Sequence, residues 1–198
     1  MHPEIDLWIK IAYSVMLLVI LPVYTVYWGW RNFLWFSDIA LITTGVALWL
    51  ENSLLASMMA VAVLLPELLW NASYFLRLIF GIRVTDLAGY MFDAGNPRFV
   101  RALSLFHVVL PMVLVWMLHE LGYDRRALIA QTLLAWVVLP FTYAVTTPQD
   151  ENINWVRGLG ARQTRFPPLA FLALLMIGFP LCLYLPTHYA LKALFAAG

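Results

Sequence analysis

The chain has 198 residues, 63% of them apolar, with twelve Lys and Arg against eleven Asp and Glu. So large an apolar share, at a mean hydropathy of +0.82, excludes an ordinary soluble domain, and the even charge without like-sign blocks excludes a nucleic-acid arm or an anionic tail. The lone cysteine, Cys182, rules out an intrachain disulfide and reads as a small buried hydrophobe.

Apolar windows predict transmembrane helices over 7–28, 33–50, 53–80, 99–118, 128–145 and 168–194, which makes the chain 1–198 a single all-α polytopic bundle of six helices. The first residues, Met-His-Pro-Glu-Ile-Asp, are acidic where a secretory signal would be basic, so the first run is expected to be a retained helix. The second span carries Ser37 and Asp38 near its start. The third carries Glu67 near its middle and Asn71 one turn on. A connection over 81–98 leads to the fourth span, with Ser104 and His107, and the fifth ends in Thr142 and Tyr143. The connection 146–167 reads TTPQDENINWVRGLGARQTRFP, with Asp150, Glu151, Asn152, Asn154 and Trp155 in a dense polar and aromatic run. It is expected to act as a lid or headgroup contact, or else as a capped interfacial turn anchored by Trp155.

Connections after the first, third and fifth spans hold Arg31, Arg77, Arg83, Arg98, Arg101, Arg157, Arg162 and Arg165, whereas the opposite side holds Lys10, Arg125, Arg126 and Lys192. Positive-inside bias puts the arginine-rich side in the cytoplasm and both termini outside it. Pro22, Pro66, Pro111, Pro140 and Pro180 interrupt five spans. Each frees a backbone carbonyl and bends its helix, so neighbours or water must satisfy the group.

Glu67 is the most informative residue. A carboxylate in hydrocarbon must be paired, protonated or turned to a wet cavity. Counted along the spans at ~1.5 Å per residue, Asp38, Asn71, His107, Thr142 and Tyr143 fall in the same cytoplasmic half of the bilayer as Glu67 or at its edge. The expectation is a polar cavity in that half, with a structural polar network as the alternative. Because the reference pKa of histidine lies near neutrality, His107 is the candidate acid or base, with Glu67 or Asp38 orienting its ring. Ser104, three residues before it, and Ser37 are the candidate nucleophiles. The proposed binding set is Asn71, Thr142, Tyr143, Asn152, Asn154 and Trp155. The four histidines are scattered without i, i+4 pairs, so neither a metal nor a cofactor is expected.

Two stretches, Asn32-Phe-Leu-Trp-Phe-Ser-Asp38 and His107-Val-Val-Leu-Pro111, resemble the six-helix androgen-induced-gene family of membrane hydrolases acting on fatty-acid esters of hydroxy fatty acids. The resemblance implies a six-helix architecture and a catalytic pair of threonine and histidine. His107 matches the histidine, while the threonine position holds Trp35. Ser37, two positions along and about 200° around the helix, is the hydroxyl that would substitute. The expected function is therefore a lipid-ester hydrolase or acyl transferase, with membrane lipid and a lipid-like substrate as partners. The alternatives are a transporter, a lipid or small-molecule binder, and an accessory subunit of a membrane complex.

Overall fold

The computed structural model describes residues 5–149 and 151–195, so both chain ends and Asp150 lie outside the described residues. Every regular element there is helical: α1 (Leu7–Tyr27), α2 (Phe36–Leu50), α3 (Ser53–Phe80), α4 (Arg98–Leu103), α5 (Phe106–Leu121), α6 (Ala127–Val145), α7 (Pro168–Gly178) and α8 (Leu185–Phe195). Short 3-10 turns stand at Trp30–Leu34, Gly89–Phe92 and Ile153–Trp155, and a π-helical stretch, Phe179–Tyr184, joins α7 to α8.

Five helical rods are long and apolar enough to cross a bilayer: Leu7–Tyr27, Ser53–Phe80, Arg98–Leu121, Ala127–Val145 and Pro168–Phe195. The sixth apolar helix, α2, is shorter. Its 15 residues rise only about 22 Å, less than the ~30 Å of a hydrocarbon core. Outward-facing Leu18, Val26, Met112 and Val137 are exposed, as expected where lipid tails rather than water surround the bundle. This is the architecture of a multi-pass integral membrane protein.

Helix α3 forms the axis of the bundle. In its most apolar window 56% of residues are buried, against 17% for the peripheral α1. The cause is local: Ala56, Ser57, Ala60 and Ala62 present small side chains that let α2, α5 and α6 pack closely around it. A similar close approach joins α1 to α2 at Gly45, where an added Cβ would stand 2.5 Å from Leu17 Cδ1. Beside it, the Tyr13 hydroxyl donates to the Leu41 carbonyl at 2.9 Å. The α2–α3 hairpin is tight because Glu51 takes the left-handed conformation at φ 49°. Its carboxylate receives Lys10 Nζ at 2.6 Å and the Ile5 amide at 3.0 Å. Asn52 then caps α3 by accepting from the Leu55 amide.

Three features depart from the expected spans. The second begins at Phe36 rather than residue 33, because Trp30–Leu34 is a separate 3-10 turn. The fourth is broken at Ser104 and Leu105, where the turn tightens to i−3 bonds, Ser104 N to Arg101 O and Leu105 N to Ala102 O. The third concerns Cys182, which is exposed on the outside of the bundle rather than buried. It lies in the π-helical stretch, whose register carries that side chain outward.

Proline positions acquire specific partners. Pro111 has no N–H for the His107 carbonyl four residues back, and Asn71 Nδ2 donates to that carbonyl at 2.7 Å. Pro180 likewise leaves the Met176 carbonyl free, and Trp136 Nε1 donates to it at 2.8 Å. In both cases a neighbouring helix supplies the missing donor, as hydrocarbon requires.

Candidate functional site

On α3 a period of three to four residues turns Glu67, Trp70, Asn71 and Tyr74 toward one side, while Leu65, Leu68 and Leu69 remain exposed to the lipid side. The inward row faces the start of α5, where the break at Ser104 and Leu105 sets the rotation of His107. Glu67 is 2% exposed, and its Oε2 and Oε1 stand 2.8 and 3.0 Å from His107 Nδ1. Asn71 closes the assembly. Its Nδ2 donates to the Glu67 carbonyl at 2.8 Å as well as to the His107 carbonyl, tying α3 to α5 at the two residues that form the pair.

The imidazole is enclosed by aromatic faces. Trp70 stacks on it at 4.6 Å between centroids and 23° between planes, and Phe106 lies at 4.1 Å and 28°. Tyr74 in turn stacks on Trp70 at 5.2 Å. Such faces favour a positively charged ring. With the carboxylate as acceptor, the proton of a neutral imidazole is assigned to Nδ1, leaving Nε2 as the basic nitrogen. No protein hydrogen bond engages Nε2 among the described residues, and the His107 side chain keeps 13% of its surface accessible.

Near this pair lie further hydroxyls and the Asp38 carboxylate. The Tyr24 hydroxyl and Ser104 Oγ are 2.7 Å apart, and the Tyr90 hydroxyl lies beside Ser104 and the Trp70 indole. Burial pushes the Tyr90 phenol above its ordinary range. Asp38 is buried at the start of α2. Its Oδ2 accepts from Asn32 Nδ2 at 3.2 Å, and its Oδ1 has no partner among the described residues. The connection 81–97 covers the assembly from one side, with Ala88 and Met91 packed on Trp70 and Arg77 over the Phe92 ring at 4.2 Å.

Of the residues singled out in the sequence, Glu67, Asn71 and His107 meet directly. Asp38 is close enough to interact electrostatically with Glu67, though its hydrogen bond goes to Asn32. Ser104 is committed to Tyr24. Ser37 is half-buried on α2, about 100° around the helix from Asp38, and no hydrogen bond joins it to His107 among the described residues.

The remaining candidates form a second assembly at the end of α6. Thr142 is fully buried and Tyr143 half-buried, and the carbonyls of Tyr143 and Thr146 accept from Arg157 Nη2. Asn152 Oδ1 accepts from the Arg157 amide, and its Nδ2 donates to the Gly158 carbonyl. Asn154 reaches across the fold to the start of α2: Oδ1 accepts from the Phe36 amide at 3.1 Å, and Nδ2 donates to the Leu34 carbonyl at 2.7 Å. This is a helix cap supplied from more than a hundred residues away. Asn154 and Trp155 both have positive φ, 52° and 56°. The first is tolerable for Asn, whereas the second is uncommon for a bulky residue and is held by the surrounding bonds. The Trp155 ring meets Trp35 edge to face at 6.3 Å.

Sequence reasoning passed over Trp70, Tyr24, Tyr90 and Asn32. Trp70 had a legible signal, since it stands three residues from Glu67 on the same helical face. A single tyrosine near the end of a span carries none. Among the described residues no group of three His, Cys, Asp or Glu side chains could hold a metal ion.

No family model, no curated protein and no solved structure matches this chain, so its own geometry carries the functional argument.

Proposed function

We propose that the chain is an intramembrane acid–base enzyme acting on a lipid-like ester, with His107 as general base and Glu67 as its orienting carboxylate. The observation that carries this reading is the 2.8 Å contact between Glu67 Oε2 and His107 Nδ1, deep in the bundle, with Nε2 left without a protein partner. Nε2 accepts a proton from water as the water oxygen attacks the ester carbonyl. Collapse of the tetrahedral intermediate breaks the ester C–O bond, and the imidazolium returns the proton to the leaving alkoxide. Water serves as the nucleophile in this scheme because Ser104 is bonded to Tyr24 and Ser37 is not joined to His107. The Glu67 carboxylate and the aromatic faces of Trp70 and Phe106 stabilise the charged imidazole.

The resemblance to the androgen-induced-gene hydrolases agrees with His107 in this role. On this reading the mouth of the site faces the cytoplasm and both termini lie outside it, supported by the positive-inside bias of the arginine-rich connections. The purified protein, offered a panel of fatty-acid esters, should release free acid, and His107→Ala should abolish the release. Turnover by His107→Ala equal to that of the wild type would sink the assignment. Orientation is tested separately on a Cys182→Ala background: a thiol at the exposed Leu159 should be labelled only once cytoplasmic access is given.

A carrier reading is favoured by one observation, the buried Asp38 with an unpartnered Oδ1 near Glu67, since two coupled acids suit proton-linked transport. Proton-dependent uptake into proteoliposomes without ester cleavage would select it.

A further inference from the structure

A cavity of about 30 Å3, lined by Tyr143, Val156, Arg157, Arg162, Gln163 and Phe171, opens between the end of α6 and the start of α7. It has room for about two waters or a pair of anionic oxygens. One wall is the Arg157 guanidinium, whose flat face covers the Tyr143 ring at 4.3 Å. Nη2 is spent on the carbonyls of Tyr143 and Thr146, while Nε is buried and has no partner among the described residues. No carboxylate pairs with this guanidinium among the described residues. Arg162 stands exposed at the mouth, adding a second positive charge.

The loop around these arginines is built rather than loose. The Arg157 amide donates to Asn152 Oδ1 at 2.9 Å, and its carbonyl accepts from the Gln163 amide at 2.9 Å. Gly158, at φ 151°, lies so close to the Ala161 carbonyl and the Gln163 amide that any Cβ would collide with backbone. Beside the mouth, Phe166 and Leu169 are 50% and 68% exposed, two apolar side chains at the level where the spans begin.

We propose that this cavity binds the phosphate of an anionic lipid headgroup, with Arg157 and Arg162 as its cationic walls and the acyl chains running along Phe166 and Leu169. A guanidinium fork matches phosphate oxygens, and a membrane-facing cation of this kind attracts anionic lipid. The apolar flank favours a lipid over free phosphate. The site is separate from the Glu67–His107 pair and stands or falls without it.

Native mass spectrometry of the purified full chain with phosphatidylglycerol or phosphatidylcholine tests this. Phosphatidylglycerol should be retained in preference, and Arg162→Gln should cut its retention about fivefold, the factor one interfacial arginine is worth. Arg125→Gln, at the opposite end of α6, should change nothing. Equal retention of the two lipids, or of phosphatidylglycerol by wild type and Arg162→Gln, would overturn the proposal. Inorganic phosphate raising Tm as much as phosphatidylglycerol does would overturn the lipid assignment in favour of a soluble anion. Since Arg157 also holds the loop, the exposed Arg162 carries the decisive substitution.

Discussion

Among the described residues three histidines are hydrogen-bonded through Nδ1; His119 is exposed beside Glu120, while the two inside the bundle differ in a way that separates chemistry from construction. His107 meets the carboxylate of Glu67 at 2.8 Å, between α3 and α5, with aromatic rings on its faces. His188 meets the Tyr123 hydroxyl at 2.6 Å, where the loop between α5 and α6 rests on α8. Next to it, the Asp124 amide donates to Ser57 Oγ at 2.9 Å, so the loop is fastened to α3 as well. A carboxylate partner stabilises imidazolium and lets the ring pick up and return a proton, whereas a neutral phenol chiefly fixes position. The lesson is that a buried histidine is a candidate for proton transfer by virtue of its partner, and burial alone does not make it one.

The largest effect should come from Glu67. Glu67→Leu should lower ester turnover by about 100-fold or more, the usual scale of general acid–base catalysis, while the helical circular dichroism is retained. Glu67→Gln should keep the fold and orient the ring, yet fail to stabilise imidazolium, giving an intermediate rate. Full activity in Glu67→Leu would erase the distinction between the two histidines.

Next comes the tie made by Asn71. Asn71→Leu leaves the His107 carbonyl without a donor, at a cost of about 1–3 kcal/mol for an unsatisfied buried group, less if the membrane bundle relaxes around it. Pro111→Ala restores an N–H four residues beyond that carbonyl. The loss on Asn71→Leu should therefore be smaller in the Pro111→Ala background, as read in a double-mutant cycle of thermal stability. Equal losses in the two backgrounds would mean that the carbonyl left by Pro111 is not what Asn71 serves.

At the other histidine, Tyr123→Phe should cost about 0.5–1.5 kcal/mol, the worth of one hydrogen bond, and leave turnover unchanged. Burial first, and the Asp124 charge second, push the Tyr123 phenol up from 10.0 to about 12. The neutral phenol is thus favoured in the fold: its contribution is intact below pH 10 and fades as pH rises toward 12. Wild type should lose more stability over that window than Tyr123→Phe does. A change in turnover with this variant would blur the contrast drawn above.

The smallest effect belongs to Asp124. Its hydrogen bonds with Arg126, at 2.7 Å for the closest, hold its carboxyl below the usual range. Stability from this pair is present above the ordinary carboxylate pKa and disappears as pH falls through the lowered one. Asp124→Asn should therefore cost at most about 1 kcal/mol near neutrality and nothing in strong acid, by thermal unfolding at the two pH values. A cost that persists in acid would mean that the ionic pairing with Arg126 is not what this side chain contributes.

What the sequence determined by itself was the solvent and the helices. Transfer free energy is a property of each segment, so apolar windows recovered the starts at Leu7, Ser53 and Pro168 and the ends at Leu50, Phe80 and Val145. The i, i+4 spacing likewise placed Glu67 and Asn71 on one face. Only the tertiary structure decided which groups meet, because partnership depends on how each helix is rotated and where it crosses its neighbour. The break before His107 aims that ring at Glu67, and Asn71 finds the carbonyl that Pro111 released. Asn154 caps α2 rather than lining the Glu67 site, and Tyr24 engages Ser104 across eighty residues. None of these pairings leaves a trace in local composition, since an amide or a phenol near the end of a span reads the same whether it faces lipid, water or a distant helix.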